Sequence, residues 1–417
     1  MFDDYKPYIY RTRDFGKTWT NITGNLPETA HIWVVREDPE NPRLLYAGTE
    51  LGLFVSYAGG GEWVKLHLRN LPTVAVHDIL VHPRENDLIL GTHGRGIWIL
   101  DDITPIQQLS PAILSQPAHL FDIRPALRFA QKSTRYGIGD KVFQGQNPPY
   151  GALITYYLKE KPAGDKAGAC EILDSLGKEV RKLARIPLEP GLNRISWDLR
   201  AEGPRPRREE AFEEDFFSRG PRGPQVVPGT YAVRLVLGNQ VYEKPIEVRI
   251  DPTVGVSREE LRVEHEYCLK LRDMQSYLSD GLRAMDNLRL QLEERKKSAE
   301  TLGTNEMREG VKVVIKFLDQ MDVLQNTITR PQGRPFWSEG PKLLERVGSF
   351  FSSLDQVNAA PTSAQVEYFT ELAVEFKEAI SRVNDYLLSA SRELNSALNR
   401  HKLPQVIVPD LIKVPKL

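Results

Sequence analysis

Six side chains between positions 31 and 95 are of types that can do chemistry: His31, Glu50, His77, Asp78, His93 and Arg95. Imidazoles beside carboxylates could hold a divalent metal, and a nearby guanidinium could grip carboxylates or sugars. Their spacing is neither the four-residue step of a helical ligand pair nor a paired-cysteine motif. We therefore read them as ligand-facing residues, with no metal and no cofactor assigned. Two further carboxylate candidates are Asp14, in TRDFGKTW at 12–19, and the pair Asp101-Asp102. Glycoside hydrolysis requires two carboxyl groups about 5–9.5 Å apart across one bond. Adjacent residues at a strand end point to opposite faces, so Asp101-Asp102 fits that chemistry poorly. The sequence contains no G-x-S-x-G elbow and no Gly-rich phosphate loop ending in Lys-Ser/Thr. Its two cysteines, Cys170 and Cys268, fall in segments of different texture. A disulfide framework and a cysteine zinc site are thereby excluded. No residue is assigned a catalytic role.

The elements that must carry the six residues are short strands. Residues 1–105 alternate apolar and polar positions between Gly, Asn and Pro turns. The segment also repeats itself: Trp19 recurs as Trp63, Leu26-Pro27 as Leu71-Pro72, and Gly48-Thr49 as Gly91-Thr92. A period of about 44 residues suits a four-stranded propeller blade. In one repeat the strands read 32–36, 44–48, 52–56 and 62–66. His31, Glu50, His77, Asp78, His93 and Arg95 then fall at one end of the strands, with His31 and His77 read as one per repeat. TRDFGKTW falls at the other end, between the third and fourth strands. Asp14 is accordingly expected to accept turn N–H groups, Gly16 to relieve the backbone, and Trp19 to pack between sheets.

TRDFGKTW resembles the Asp-box of BNR repeats, with Thr12, Asp14, Gly16, Thr18 and Trp19 at the defining positions. SYAGGGEW at 56–63 is similar to a degenerate second copy, with Ala58 at the Asp position and Glu62 at the Thr position. GTHGRGIWILDD resembles the last blade of sortilin-like BNR proteins, a family often labelled glycosyl hydrolases in bacteria. The resemblance implies closing blades of a β-propeller over 1–105: the outer half of one blade, a complete one, and three strands of a last. It also implies further blades upstream as partners, a protein or carbohydrate ligand, and an extracellular or periplasmic location. The function expected is ligand binding or assembly. The alternative is a glycoside hydrolase whose catalytic carboxylates lie in upstream blades. No catalytic position of sialidases or two-propeller glucanases finds its match here.

Beyond 105, residues 106–147 read as a connector, and 148–252 as a second β region of at least six strands. Its length and strand density fit an immunoglobulin-like sandwich, with Trp197 and Tyr231 facing inward and Pro228-Gly229 opening a hairpin. PGLNRISWDLR and VPGTYAVRLVLGN resemble the flagellar hook-capping type of that domain. The Pro/Arg/Glu-rich stretch 203–225 reads as a mobile insertion, or as an apolar clip through AFEEDFF. From Ser257 the period turns helical. Capping boxes at Ser257/Glu260 and Thr362/Gln365 open two of four helices. Leu271, Leu278, Met285 and Leu292 recur every seven residues on the first helix. A C-terminal antiparallel helical bundle over 253–417 follows, and a third alternative is that this tail serves as a docking or dimerisation device. Lys+Arg number 55 against 56 Asp+Glu, so no net field recruits nucleic acid. No apolar run reaches the roughly 18 residues of a membrane span. MFDDYKPYIY lacks the basic-then-apolar pattern of a secretory leader.

Overall fold

The computed structural model describes residues 4–68, 70–130, 143–162, 168–208, 222–302, 304–331 and 339–414. The protein is mixed β plus α, with several antiparallel sheets followed by a helical region. It folds as two compact units, one of residues 1–128, 134–198 and 229–249, the other of 129–133, 199–228 and 250–417.

The first unit begins with a two-stranded ribbon, β1 (Tyr10–Arg11) and β2 (Thr20–Asn21). A four-stranded sheet follows in simple order: β3 (Ile32–Glu37), β4 (Leu45–Thr49), β5 (Gly52–Ser56) and β6 (Val64–Lys65). A three-stranded sheet repeats the pattern with β7 (Val76–Val81), β8 (Leu88–Thr92) and β9 (Ile97–Leu100). The sheets stack by burying alternate faces. Leu45, Ala47, Phe54 and Trp63 cluster with Ile9 and Ile22 of the ribbon region. On the other face Val34, Tyr46, Leu53 and Val55 cluster with Val76, Ile79, Leu88 and Leu90 of the next sheet. Period-2 alternation gives the middle sheet two apolar faces, as a strand buried on both sides requires.

Two short helices, α1 (Thr104–Gln108) and α2 (Pro111–Ser115), come next. The segment read as a connector also holds β10 (Ala118–Leu120) and β11 (Ala126–Arg128). Both join the second β region. β10 pairs with β12 (Ala152–Leu158), which pairs with β15 (Gly191–Trp197). β11 edges a five-stranded sheet of β17 (Gln240–Ile250), β16 (Gly229–Leu237), β13 (Ala169–Leu173) and β14 (Glu179–Leu183). Trp197 and Tyr231 meet edge to face across the two sheets, centroids 5.5 Å apart. The three-residue strands of 106–147 are too short to show a period, so they read as linker.

The second unit is built on α3 (Arg258–Leu302), 45 residues long and opened by the Ser257/Glu260 reciprocal hydrogen bonds. Around it lie α4 (Asn305–Ile328), α5 (Leu343–Asp355) and α6 (Ser363–Ser389). One π turn at Ala390–Leu394 then leads into α7 (Asn395–Arg400). The heptad residues Leu271, Leu278, Met285 and Leu292 are wholly buried with Phe376, Val383 and Leu387. Val357, three residues beyond the buried Leu354 of α5, is exposed. The helix ends at Asp355 and Asn358 adopts a left-handed conformation (φ 50), which turns the chain out of the helical path.

The insertion expected to be mobile over 203–225 is fixed at both ends. Arg205 pairs with Asp280 at 2.6 Å, Arg207 with Asp286 at 2.5 Å, and Gln225 N–H donates to Asp355 at 3.0 Å. Guanidiniums chosen by a Pro/Arg-rich composition here match carboxylates spaced along the helices. The AFEEDFF stretch proposed as a clip lies outside the described residues. No helix among those described is long and apolar enough to cross a membrane.

Candidate functional site

β3 and β7 each begin with one extra residue relative to the neighbouring strand. Ile32 pairs with Thr49 and Val34 with Gly48, leaving Trp33 as the bulge; Val76 pairs with Thr92 and Asp78 with Gly91, leaving His77. A bulge at a sheet end re-aims its side chain out of the ladder. The two bulge rings meet at 4.1 Å between centroids, tilted by 38°. His31 packs edge-on against Trp33 at 5.0 Å, and His93 lies 5.0 Å from His77. The result is one row, His31–Trp33–His77–His93, across two sheets.

The turns between the second and third strands brace this row. Glu50 N–H donates to His31 O and His93 N–H to Ala75 O, each at 2.9 Å, so the same link occurs in both repeats. Glu50 Oε2 also accepts the Trp33 indole N–H at 2.9 Å, which fixes the ring's tilt while the side chain stays about half exposed. A partly exposed row of aromatic rings, with a carboxylate at its edge, can pack on an apolar ring and hydrogen-bond the substituents around it.

Of the six residues singled out from the sequence, His31, Glu50, His77 and His93 come together. Asp78 does not. It is held by Arg36 of the neighbouring sheet at 2.8 Å and by Ile79 N–H at 2.9 Å. Arg95 sits on the exposed β8–β9 turn, where its carbonyl accepts the Trp98 indole N–H at 3.0 Å. Reading His31 and His77 as equivalent is corrected by the register. The counterpart of His77 is Trp33, and Trp33 was the residue missed. Its signal was an aromatic at the point where the strand period slips by one. The three imidazoles do not bring their nitrogens within 4.8 Å as a group, because the indole separates His31 from His77.

At the opposite strand ends TRDFGKTW behaves as turn chemistry. Asp14 accepts Thr18 N–H at 2.8 Å, Thr18 Oγ1–H at 2.7 Å and Thr12 Oγ1–H at 2.9 Å. Those bonds, the Thr18 amide foremost, hold its carboxyl below the ordinary range. In the second copy Ser56 Oγ accepts Gly60 N–H at 2.9 Å, as Thr12 Oγ1 accepts Gly16 N–H at 2.8 Å. With Ala58 at the Asp position, Asn25 Oδ1 instead accepts the N–H of the next residue along, Trp63, at 2.6 Å. Trp63 is 3% exposed, its indole donating to Ile22 O of the preceding ribbon at 3.0 Å. Trp19, expected between sheets, is 60% exposed and donates to Gly16 O of its own turn at 3.1 Å. The two differ because a ribbon covers Trp63, whereas no described residue buries Trp19.

Asp101 and Asp102 follow β9 and work structurally. Asp102 Oδ1 accepts the Thr104 hydroxyl at 2.6 Å, and both backbone carbonyls take the Arg194 guanidinium, at 2.6 and 2.8 Å. Burial, then the neighbouring Asp87 charge, raises the Asp101 carboxyl above the ordinary value. In the helical unit, ligand atoms of Glu264, Cys268 and Asp355 lie within 4.8 Å of one another and are buried. The Asp355 charge there is met by Arg200 at 2.6 Å, which makes the cluster a hub tying 199–225 to α5.

No family model matches the chain, and no curated protein does. Among solved structures it is similar to the extracellular domain of a one-component system from B. thetaiotaomicron. Identity is 13%, the match covers 58% of this chain and 28% of that one, and the TM-score is 0.20.

Proposed function

We propose that this chain is part of a sortilin-like, Asp-box propeller protein of the envelope or extracellular space, and that it binds a carbohydrate or protein ligand at the His31–Trp33–His77–His93 row. The observation that carries this is the pair of bulges: two repeats spend an extra residue each to place Trp33 and His77 in contact at a sheet rim. The repeated strand order and alternate-face stacking support the propeller reading. Facing three- and five-stranded sheets with Trp197 against Tyr231 support an immunoglobulin-like sandwich, and the buried heptad of α3 supports a helical bundle.

Calorimetric titration of the full chain against neutral oligosaccharides, acidic oligosaccharides and extended peptides tests the reading. For whichever ligand binds, Trp33→Ala is expected to weaken affinity roughly thirtyfold, since truncating an aromatic anchor costs about 2 kcal/mol. Asp14→Asn, at the opposite strand ends, should leave affinity unchanged. Silence across all three classes, or a ligand indifferent to Trp33→Ala, overturns it.

A further inference from the structure

Beyond α7 the chain turns back along its own unit. Lys402 takes a left-handed conformation (φ 59), and Leu403 N–H returns to Leu398 O at 2.8 Å, closing the helix. Residues 403–412 then run without helix or strand, yet their backbone is read three times by side-chain amides. Val406 donates its N–H to Asn395 Oδ1 at 2.8 Å and accepts from Asn395 Nδ2 at 3.0 Å. Ile407 makes the same exchange with Gln291, at 2.7 and 2.9 Å, and Ile412 with Asn384, at 2.8 and 3.1 Å.

Each amide therefore imitates one doubly bonded rung of an antiparallel ladder, and the paired bonds fix which end is oxygen. The three amides come from three different helices, α3, α6 and α7. Within the segment, side-chain selection falls on alternate apolar positions: Val406 is 4% exposed and Val408, Ile412 and Val414 pack against the helical core, whereas Ile407 is 82% exposed. Just upstream of the segment Leu403, 5% exposed, is seated over Gly310 of α4, where a Cβ would lie 2.6 Å from its Cδ1. Pro404 and Pro409 hold their predecessors in extended conformations. Main-chain bonds giving affinity, with pockets for alternate side chains giving selectivity, are the features of a receptor for extended peptide.

We propose that the face formed by α3, α6 and α7 is a binding groove for an extended, proline-interrupted apolar peptide. Residues 405–412 are its resident ligand, and the same peptide supplied in trans exchanges with them. In the full chain, a protease site inserted between the exposed Pro404 and Gln405 would leave the segment held without a covalent link. A fluorescent peptide of residues 405–414 should then bind saturably. Asn384→Ala with Asn395→Ala should weaken it at least tenfold, two lost amide exchanges being worth about 1.4 kcal/mol or more together. A peptide carrying Val406→Asp should fail to bind. Absence of saturable binding with helical circular dichroism intact, or equal binding by the double variant, overturns the proposal. Should cleavage unfold the helices, hydrogen exchange on the uncut chain decides. The Val406, Ile407 and Ile412 amides must open more readily than those of the α3 core, and equal protection overturns the proposal.

Discussion

The internal repeat supplies its own controls at the level of single residues. Gly48 and Gly91 hold the same place in successive sheets, but only Gly48 lies under a neighbour. A Cβ at Gly48 would sit 2.5 Å from Val76 O and 2.7 Å from Val34 Cγ1, whereas at Gly91 the nearest atom is 3.5 Å away. Gly48→Ala should therefore destabilise the chain by about 1–3 kcal/mol in denaturant unfolding, the cost of overpacking. Gly91→Ala should cost far less, and equal effects would contradict the stacking. The carboxylates separate by sign. Asp14 is depressed by its turn bonds, so its contribution is present above the unfolded-state value of about 3.9 and is lost as pH falls through the lower folded value. The Thr18 amide shift, followed by NMR, should titrate below that ordinary value. Asp101 is raised by burial and by Asp87, so its ionisation opposes folding as pH climbs from the unfolded value through the folded one. Asp101→Asn should consequently stabilise the chain at neutral pH, with the gain vanishing in acid. A gain that persists below the ordinary carboxylate range would contradict the assignment.

At the level of elements, the ion pair between Arg200 and Asp355 joins the ends of the 203–225 insertion to α5. Both side chains are mostly buried, and Asp355 also receives the Gln225 N–H. Arg200→Ala leaves that carboxylate buried without its cation and should cost about 3–5 kcal/mol in cooperative unfolding of the helical unit. Arg205→Ala, breaking the more exposed pair with Asp280, should cost about 1 kcal/mol or less. These pairs were not legible in the sequence, because a charge and its partner 155 positions away share no local pattern. The helices were legible for the opposite reason, since Leu271, Leu278 and Met285 repeat at the interval that the contact itself imposes. The strands of the first three sheets were legible through the repeat. β10 and β11 were not, three residues being fewer than two alternations. Of the site, the histidines and Glu50 stood out by type. Trp33 did not, since a bulge appears in sequence only as an alternation that slips. The amides of Gln291, Asn384 and Asn395 were hidden likewise, since they pair with backbone, which has no sequence signature.

For the molecule as a whole, the stacking rule of the first unit leaves two faces open among the described residues. Cross-strand pairing makes Ile97 and Ile99 of β9 the counterparts of Leu53 and Val55 of β5. Leu53 and Val55 are each 1% exposed under the next sheet, whereas Ile97 and Ile99 are 74% and 58% exposed. Trp19, at the other end of the stack, is the uncovered counterpart of Trp63. One face is thus of the kind that receives a following sheet, and the other of the kind that settles on a preceding one. Such a pair is complementary to itself head to tail rather than about a two-fold axis, and association of this type need not close. In the proposed parent protein, further Asp-box sheets would cover both faces. The chain by itself should associate as its concentration rises, with sedimentation velocity showing a series of species and no single dimer. Ile97→Lys with Ile99→Lys should return it to a monomer, because burying two ammonium groups against apolar side chains opposes the contact. Trp19→Ser should act in the same direction from the other end, and the two sets together should do no more than either alone once the contact is gone. A monodisperse unaltered chain over the same concentration range would mean that these faces do not behave as the two open ends of a repeat.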